Sequence, residues 1–205
     1  MKTYKIHLIR HAINEGTEEG RYIGHTDAPL SEEGRAQLLQ MRDDYIYPGV
    51  EAVFSSPLKR CVDTAKILYP QKEPIIMDGL MECNFGEFEN KTAEELEENE
   101  DFLSWIKGDT APPFGESSNA FGQRICTTFE KIADGMMKSG VFEAAIITHG
   151  GVASAILAAY GLPQAPMHEW MMPNCCGFTL RLDPAMWMRG RKCEVFAEIP
   201  DTKEE

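Results

Sequence analysis

Two arginines, two histidines and a glutamate stand where this chain could do chemistry. Arg10 and His11 follow the apolar, β-branched run Tyr4 to Ile9, which reads as a buried strand. Arg60 lies just past a second strand, Glu51 to Ser55, and Glu82 follows a short third one, Pro74 to Asp78. His149 closes a fourth, Phe142 to Thr148, and is followed by Gly150-Gly151. If the strands are parallel, all five residues share one rim, the carboxyl-end rim where open α/β sheets bind ligands. Such a set suits phosphate chemistry. Guanidinium forks match phosphate oxygens and stay charged. An imidazole can attack phosphorus and hold it covalently. A carboxylic acid can protonate the leaving oxygen and later take a proton from water. Asp78, Glu87 and Glu89 share the neighbourhood of Glu82 and stay open as alternatives for that acid.

The elements needed to position these groups can be read from pattern. Residues 12–30 are rich in glycine and polar side chains and form a long loop, of the kind that is usually functional. Ser31 caps a helix from Glu32 to about Tyr45. Ser56-Pro57 reads as the cap and first turn of a helix running to about Tyr69. Thr92 and Glu95 have capping-box spacing and open a helix to about Lys107. Phe121, Ile125, Phe129, Ile132 and Met136 mark one face of a helix from Ser118 to Lys138. A small-residue helix, VASAILAAY, closes at Gly161 and Pro163. Cys176 to Leu182 and Cys193 to Ile199 read as two last strands joined by a turn around Arg189-Gly190, with DTKEE as a solvated tail. This alternation predicts a three-layer α/β/α fold with a mostly parallel central sheet, the last two strands forming an antiparallel edge.

Six stretches in order carry a family resemblance: LIRH (8–11), GHTDAPLSEEG (24–34), SSPLKRCVDTA (55–65), LMECNFGEFENKT (80–92), GES (115–117) and IITHGG (146–151). Together they resemble the histidine phosphatase superfamily, the phosphoglycerate mutase-like proteins, and within it the α-ribazole phosphatase-like small phosphatases. The resemblance implies that His11 is the nucleophile that becomes phosphohistidine. Arg10, Arg60 and His149 would hold the phosphoryl group, and Glu82 would be the proton donor. No metal or other cofactor is implied. The segment 87–114 would be a small cover over the strand rim of a single domain, 1–205. Asn14, Thr17, Arg21, Ile23, Gly24 and Gly150 are expected at the substrate, Arg21 toward its distal part. Ala12, Asn14 and Thr17 depart from the family's usual glycine, serine or threonine, and asparagine. Phe88-Glu89-Asn90 replaces a tryptophan-glutamate-glycine.

The chain has 205 residues, 43% of them hydrophobic, enough for one sizeable core. Its net charge of −13 disfavours nucleic acid or an anionic membrane as a partner; a small phosphorylated metabolite remains compatible. Six cysteines without CxxC spacing, and no stretch reading as a leader or membrane span, predict reduced thiols in the cytoplasm. The leading expectation is a metal-independent phosphatase of small monoesters. A mutase returning the phosphoryl group to another hydroxyl is the alternative within the family, and a phospho-ligand binding protein with lost catalysis the alternative outside it.

Overall fold

Strand β1 (Tyr4–Arg10) alternates its side chains between two cores, and the rest of the chain is layered around it. The structure is a computed structural model and describes residues 3–203. After β1 come α1 (Glu32–Asp44), β2 (Tyr45–Ile46), β3 (Ala52–Ser55), α2 (Lys59–Leu68) and β4 (Ile75–Ile76). The middle of the chain supplies α3 (Glu100–Ile106), α4 (Ser118–Ser139), β5 (Glu143–Thr148), α5 (Gly150–Tyr160) and β6 (Gly161–Leu162). The last elements are β7 (Gly177–Leu182), α6 (Pro184–Gly190), β8 (Cys193–Ile199) and β9 (Asp201–Thr202).

The main sheet has the order β4-β3-β5-β1-β7-β8-β6. β1, β5, β3 and β4 run parallel, β7 runs against both β1 and β8, and β6 lies parallel to β8. Ile6 and Leu8 of β1, with Ala144 and Ile146 of β5, face α4, α5 and α6; their neighbours Ile9, Ala145 and Ile147 face α1 and α2. A period of two on the strands thus makes three layers, as expected from the sequence. Because β1, β3 and β5 are parallel, Arg10, Ser55 and Thr148 end on one rim, where the amide of His11 donates to the carbonyl of Thr148 (2.9 Å) and that of Ser56 to Ile147 (3.1 Å).

Several elements differ from the sequence reading. Helix α2 begins at Lys59, two residues past Ser56-Pro57, and its cap residue Leu58 makes no side-chain cap bond. The third strand shrinks to Ile75–Ile76 at the sheet edge. The helix expected from Thr92 is broken. Its capping box does form, the Glu95 amide donating to Thr92 Oγ1 (3.2 Å) and the Thr92 amide to Glu95 Oε2 (3.0 Å), but only one tight turn, Glu94–Leu96, follows. Helix α3 then restarts behind Asn99, whose side chain accepts from the Phe102 amide. The break lets Leu96 and Phe102 turn into one small core with Phe88. The expected turn at Arg189-Gly190 is the end of α6, which Asp183 caps and Pro184 opens. Within the expected tail, Asp201–Thr202 pairs with Tyr45–Ile46; its last two residues lie outside those described. No helix among the described residues is long and apolar enough to cross a membrane.

Candidate active site

His11 is buried at the end of β1, and its Nδ1 lies 2.7 Å from the carbonyl oxygen of Ala12. A carbonyl oxygen only accepts, so Nδ1 carries the proton and the lone pair sits on Nε2. Burial pushes the imidazole's pKa down to about 3, and the Arg60 and Arg10 guanidiniums push it the same way, against the Ala12 carbonyl. The ring is therefore neutral across ordinary pH. The backbone behind it is clamped: Asn174 Nδ2 donates to the His11 carbonyl (2.8 Å) and the Cys175 amide to the Arg10 carbonyl (3.0 Å). His149 stands edge-on to His11, with ring centroids 5.1 Å apart. Its Nε2 lies 2.9 Å from Ser56 Oγ and 3.5 Å from Cys61 Sγ, which gives Ser56 a buried imidazole as neighbour rather than a helix to cap. Burial, His11 and both arginines drive the His149 pKa well below its ordinary value.

Arg60 is fully buried on α2. Its Nη1 donates to the Thr26 carbonyl (2.8 Å), and its Nη2 to those of Gly24 (2.8 Å) and Ile23 (3.4 Å). Arg10 is partly buried and donates through Nη1 to the Met172 carbonyl (2.9 Å). Neither arginine forms an ion pair among the described residues, and the Nε of each is buried without a partner there. Two guanidiniums, one buried and one partly buried, that no carboxylate among the described residues neutralises by contact are costly unless an anion answers them.

Glu82 completes the set. Its Oε1 accepts from the Cys83 amide and its Oε2 from the Gly151 amide, both at 2.9 Å. Burial raises its pKa above the ordinary carboxylate value, against those amides and the two arginines. A Cβ on Gly151 would lie 2.5 Å from Glu82 Oε1, so the glycine makes the close approach possible. The alternative carboxylates are placed differently. Glu87 is exposed, Asp78 starts a tight turn, and Glu89 is fully engaged as an acceptor. Glu89 Oε1 takes the amides of His25 (2.9 Å) and Phe85 (3.1 Å); Oε2 takes those of Gly24 (3.1 Å) and Thr26 (3.2 Å) and the Thr26 hydroxyl (2.6 Å). Burial opposes its ionisation, but these donors outweigh burial and hold its pKa below the usual carboxylate range.

Among the expected substrate contacts, Gly150 lies beside Arg10 Nε: a Cβ there would be 3.4 Å from it. Ile23 and Gly24 act through their carbonyls on Arg60. Asn14 and Thr17 bond each other, Thr17 Oγ1 donating to Asn14 Oδ1, and so shape the loop from within. Arg21 is taken elsewhere: its guanidinium meets Glu19 (2.6 Å), Glu95 (3.1 Å) and the Asn90 carbonyl (2.7 Å), tying the loop to the segment beyond Glu89. Sequence reasoning missed Arg124. It grips Glu116 through two bonds (2.6 and 3.0 Å) and donates to the carbonyls of Gly79, Met81 and Glu82, holding the stretch that carries the acid. Ser56 and Glu116 lay inside recognised motifs; Arg124 lay in none.

The model of the histidine phosphatase superfamily, branch 1, matches residues 6–190. The chain belongs to that superfamily. Membership, with relatives named as phosphatases, supports an enzyme with hydrolase activity; the substrate is not thereby fixed. Two curated relatives are similar to it. Phosphoserine phosphatase 1 of Hydrogenobacter thermophilus is 32% identical over 134 residues, covering 62% of this chain and 64% of that protein. Adenosylcobalamin/alpha-ribazole phosphatase of Escherichia coli K12 is 25% identical over 179 residues, covering 84% of this chain and 87% of that protein. Among solved structures, the alpha-ribazole phosphatase of Shigella flexneri superposes with a TM-score of 0.81 at 22% identity, over 98% of this chain and 99% of that one. At that identity the likeness speaks for the fold.

Proposed function

We propose that this protein hydrolyses small phosphate monoesters through a phosphohistidine at His11. The observation that carries the reading is a pair of guanidiniums, buried Arg60 and partly buried Arg10, without ion-pair partners among the described residues, flanking a buried imidazole whose lone pair is fixed on Nε2. Nε2 attacks phosphorus. The phosphorus–oxygen bond to the alcohol breaks, its electron pair stays on oxygen, and that oxygen takes the proton of Glu82. Water then gives a proton to the Glu82 carboxylate and its oxygen attacks phosphorus. The phosphorus–nitrogen bond breaks, releasing inorganic phosphate and neutral His11. Arg10, Arg60 and His149 stabilise the charge on the transferring group.

Residues 87–114 act in this reading as the cover of a single domain, 1–205, with Arg21 as the strap between phosphate loop and cover. All six cysteines are free, which supports a reducing compartment such as the cytoplasm. The test is hydrolysis of p-nitrophenyl phosphate in excess EDTA, wild type against His11→Ala, with a label from radioactive phosphoester sought on the protein. EDTA-resistant turnover and label on wild type, both lost in His11→Ala, are expected. Turnover that persists in the variant would overturn the assignment of the nucleophile. Interconversion of phosphoglycerates with near-zero phosphate release would make the protein a mutase.

A further inference from the structure

We propose that the alcohol released from phosphate is uncharged and largely apolar, an alkyl or aryl group seated in an aromatic-walled cavity beside Glu82. The proposal rests on the phosphatase reading above and narrows its substrate. A cavity of about 310 Å³ opens against Glu82 and Gly151, within the usual range for small-ligand sites. Its walls are Phe85, Trp105, Phe121 and Met167. Position makes it the place for the leaving group. The leaving oxygen must sit at Glu82 to take its proton, so the carbon attached to that oxygen departs from this side.

The chemistry of the walls sets the class of alcohol. Among the described residues no lysine, arginine or histidine lines the cavity; its titratable groups there are Glu82 and the Cys83 thiol. Arg124, which holds the Glu82 stretch from behind, is occupied by Glu116 and three carbonyls. An alcohol bearing a carboxylate, such as serine or glycerate, would have to desolvate that charge next to Glu82 with no cation to meet it. An apolar alcohol instead gains by leaving water for rings already in place. Trp105 packs against Phe85 and Tyr22 with centroids 5.7 and 5.5 Å apart, both edge-on, and Phe88 and Phe102 support it from behind. The wall is therefore preorganised.

The test compares esters of unactivated primary alcohols, so that leaving-group acidity does not decide the order. Phosphate release is followed from 2-phenylethyl phosphate, hexyl phosphate, phosphoserine and 3-phosphoglycerate. Wild type is expected to favour the first two by at least tenfold in kcat/KM. Trp105→Ala, which removes one wall, is expected to lower kcat/KM for 2-phenylethyl phosphate about tenfold more than for phosphoserine. Trp105 also serves the small core, so a second variant does not depend on it. Met167→Arg, at a partly exposed position on the cavity wall, is expected to shift the preference toward 3-phosphoglycerate by at least fivefold. Phosphoserine or 3-phosphoglycerate turned over as well as the apolar esters by wild type would overturn this proposal and leave the phosphatase standing. Absence of release from every ester, including p-nitrophenyl phosphate, with no label on His11, would overturn both.

Discussion

Glu89→Gln isolates one link between the cover segment and the phosphate site. The Glu89 carboxylate accepts five hydrogen bonds, and the loop it gathers presents the carbonyls of Gly24 and Thr26 to Arg60. Glutamine keeps shape and size but has one accepting oxygen. If its NH2 takes the place of Oε2, the amides of Gly24 and Thr26 lose their acceptor. If it takes the place of Oε1, those of His25 and Phe85 do. Whichever way the side-chain amide turns, two backbone N–H groups are stranded. A stranded donor that is only partly buried costs the lower part of the full penalty, about 1–2 kcal/mol, so with two stranded the variant is expected to lose about 2–4 kcal/mol of stability. At an m-value near 2 kcal/mol/M this lowers the urea midpoint by about 1–2 M. Because the loosened carbonyls no longer hold the Arg60 fork, kcat/KM on p-nitrophenyl phosphate is expected to fall about 10- to 100-fold, or about 1.4–2.7 kcal/mol of transition-state stabilisation. Glu87→Gln, at an exposed neighbour, is the control and should match wild type in both assays. A Glu89→Gln protein with wild-type midpoint and wild-type kcat/KM would refute the argument that Glu89 organises the loop.

Gly151→Ala forces a methyl to within 2.5 Å of Glu82 Oε1, so the acid must move. Turnover of alkyl esters is expected to drop about 10- to 100-fold, and of p-nitrophenyl phosphate far less, since its leaving group needs no proton; equal losses would point to general disruption. With His11 neutral and the Glu82 pKa raised by burial, activity is expected to persist into mildly acid pH and to decline as pH rises through the raised Glu82 pKa, a limb that Glu82→Gln should remove from the pH–rate profile. The stability profile has its own sign. His7 and His11, with pKa values of about 4 and about 3, are neutral in the fold but protonate when unfolded below about pH 6.5. Stability is thus expected to fall as pH drops from about 6.5, by about 2 kcal/mol for each histidine at about pH 5. Denaturant midpoints of His7→Gln and wild type should converge on acidification; a constant gap would count against that accounting. Arg124→Met strands the Glu116 carboxylate and three carbonyls, and is expected to lower both the melting temperature and kcat; a loss of stability with kcat intact would separate Arg124 from the placement of Glu82.

Most of the candidate rim was legible because those members are fixed by local junctions. His11 and His149 sit where a buried strand ends, and Arg60 sits in the first turn of the helix that follows one. Period-two burial on β1 and β5 settles the rest of the geometry. What escaped the sequence was set by tertiary partners. Ser56-Pro57 looked like a helix start because serine caps helices, but Ser56 Oγ meets His149 Nε2 at 2.9 Å and reaches the Leu58 amide only at 3.4 Å. The capping box at Thr92 formed, yet the helix did not continue. Leu96 and Phe102, six positions apart, would stand about 240° around a continuous helix, whereas both are needed in one small core. The start of α6 carried its own signal, Asp183-Pro184, which the glycine at 190 obscured.

The departures from the family pattern illustrate the same division between local and tertiary control. Ala12 is fully buried against α1 and α2, and its amide donates to Thr64 Oγ1 (3.0 Å), so the extra methyl fills core rather than the phosphate side. Asn14 and Thr17 answer each other's hydrogen bonds inside the loop. These side-chain changes leave in place the two backbone contacts that hold His11, the Ala12 carbonyl at its Nδ1 and the clamp of Asn174 on its own carbonyl. A chain that had lost catalysis while keeping its phosphate site would be expected to show a displaced acid or a nucleophile in the wrong tautomer. Here the lone pair is on Nε2, and Glu82 is held by two backbone amides on the same rim. Of the departures, the one that would bear on selectivity in the proposed reading is therefore in the proposed cover, where Phe88 stands in place of the tryptophan that the family resemblance implies. Phe88 backs Trp105, so that substitution acts through the wall of the leaving-group cavity and not through the phosphate.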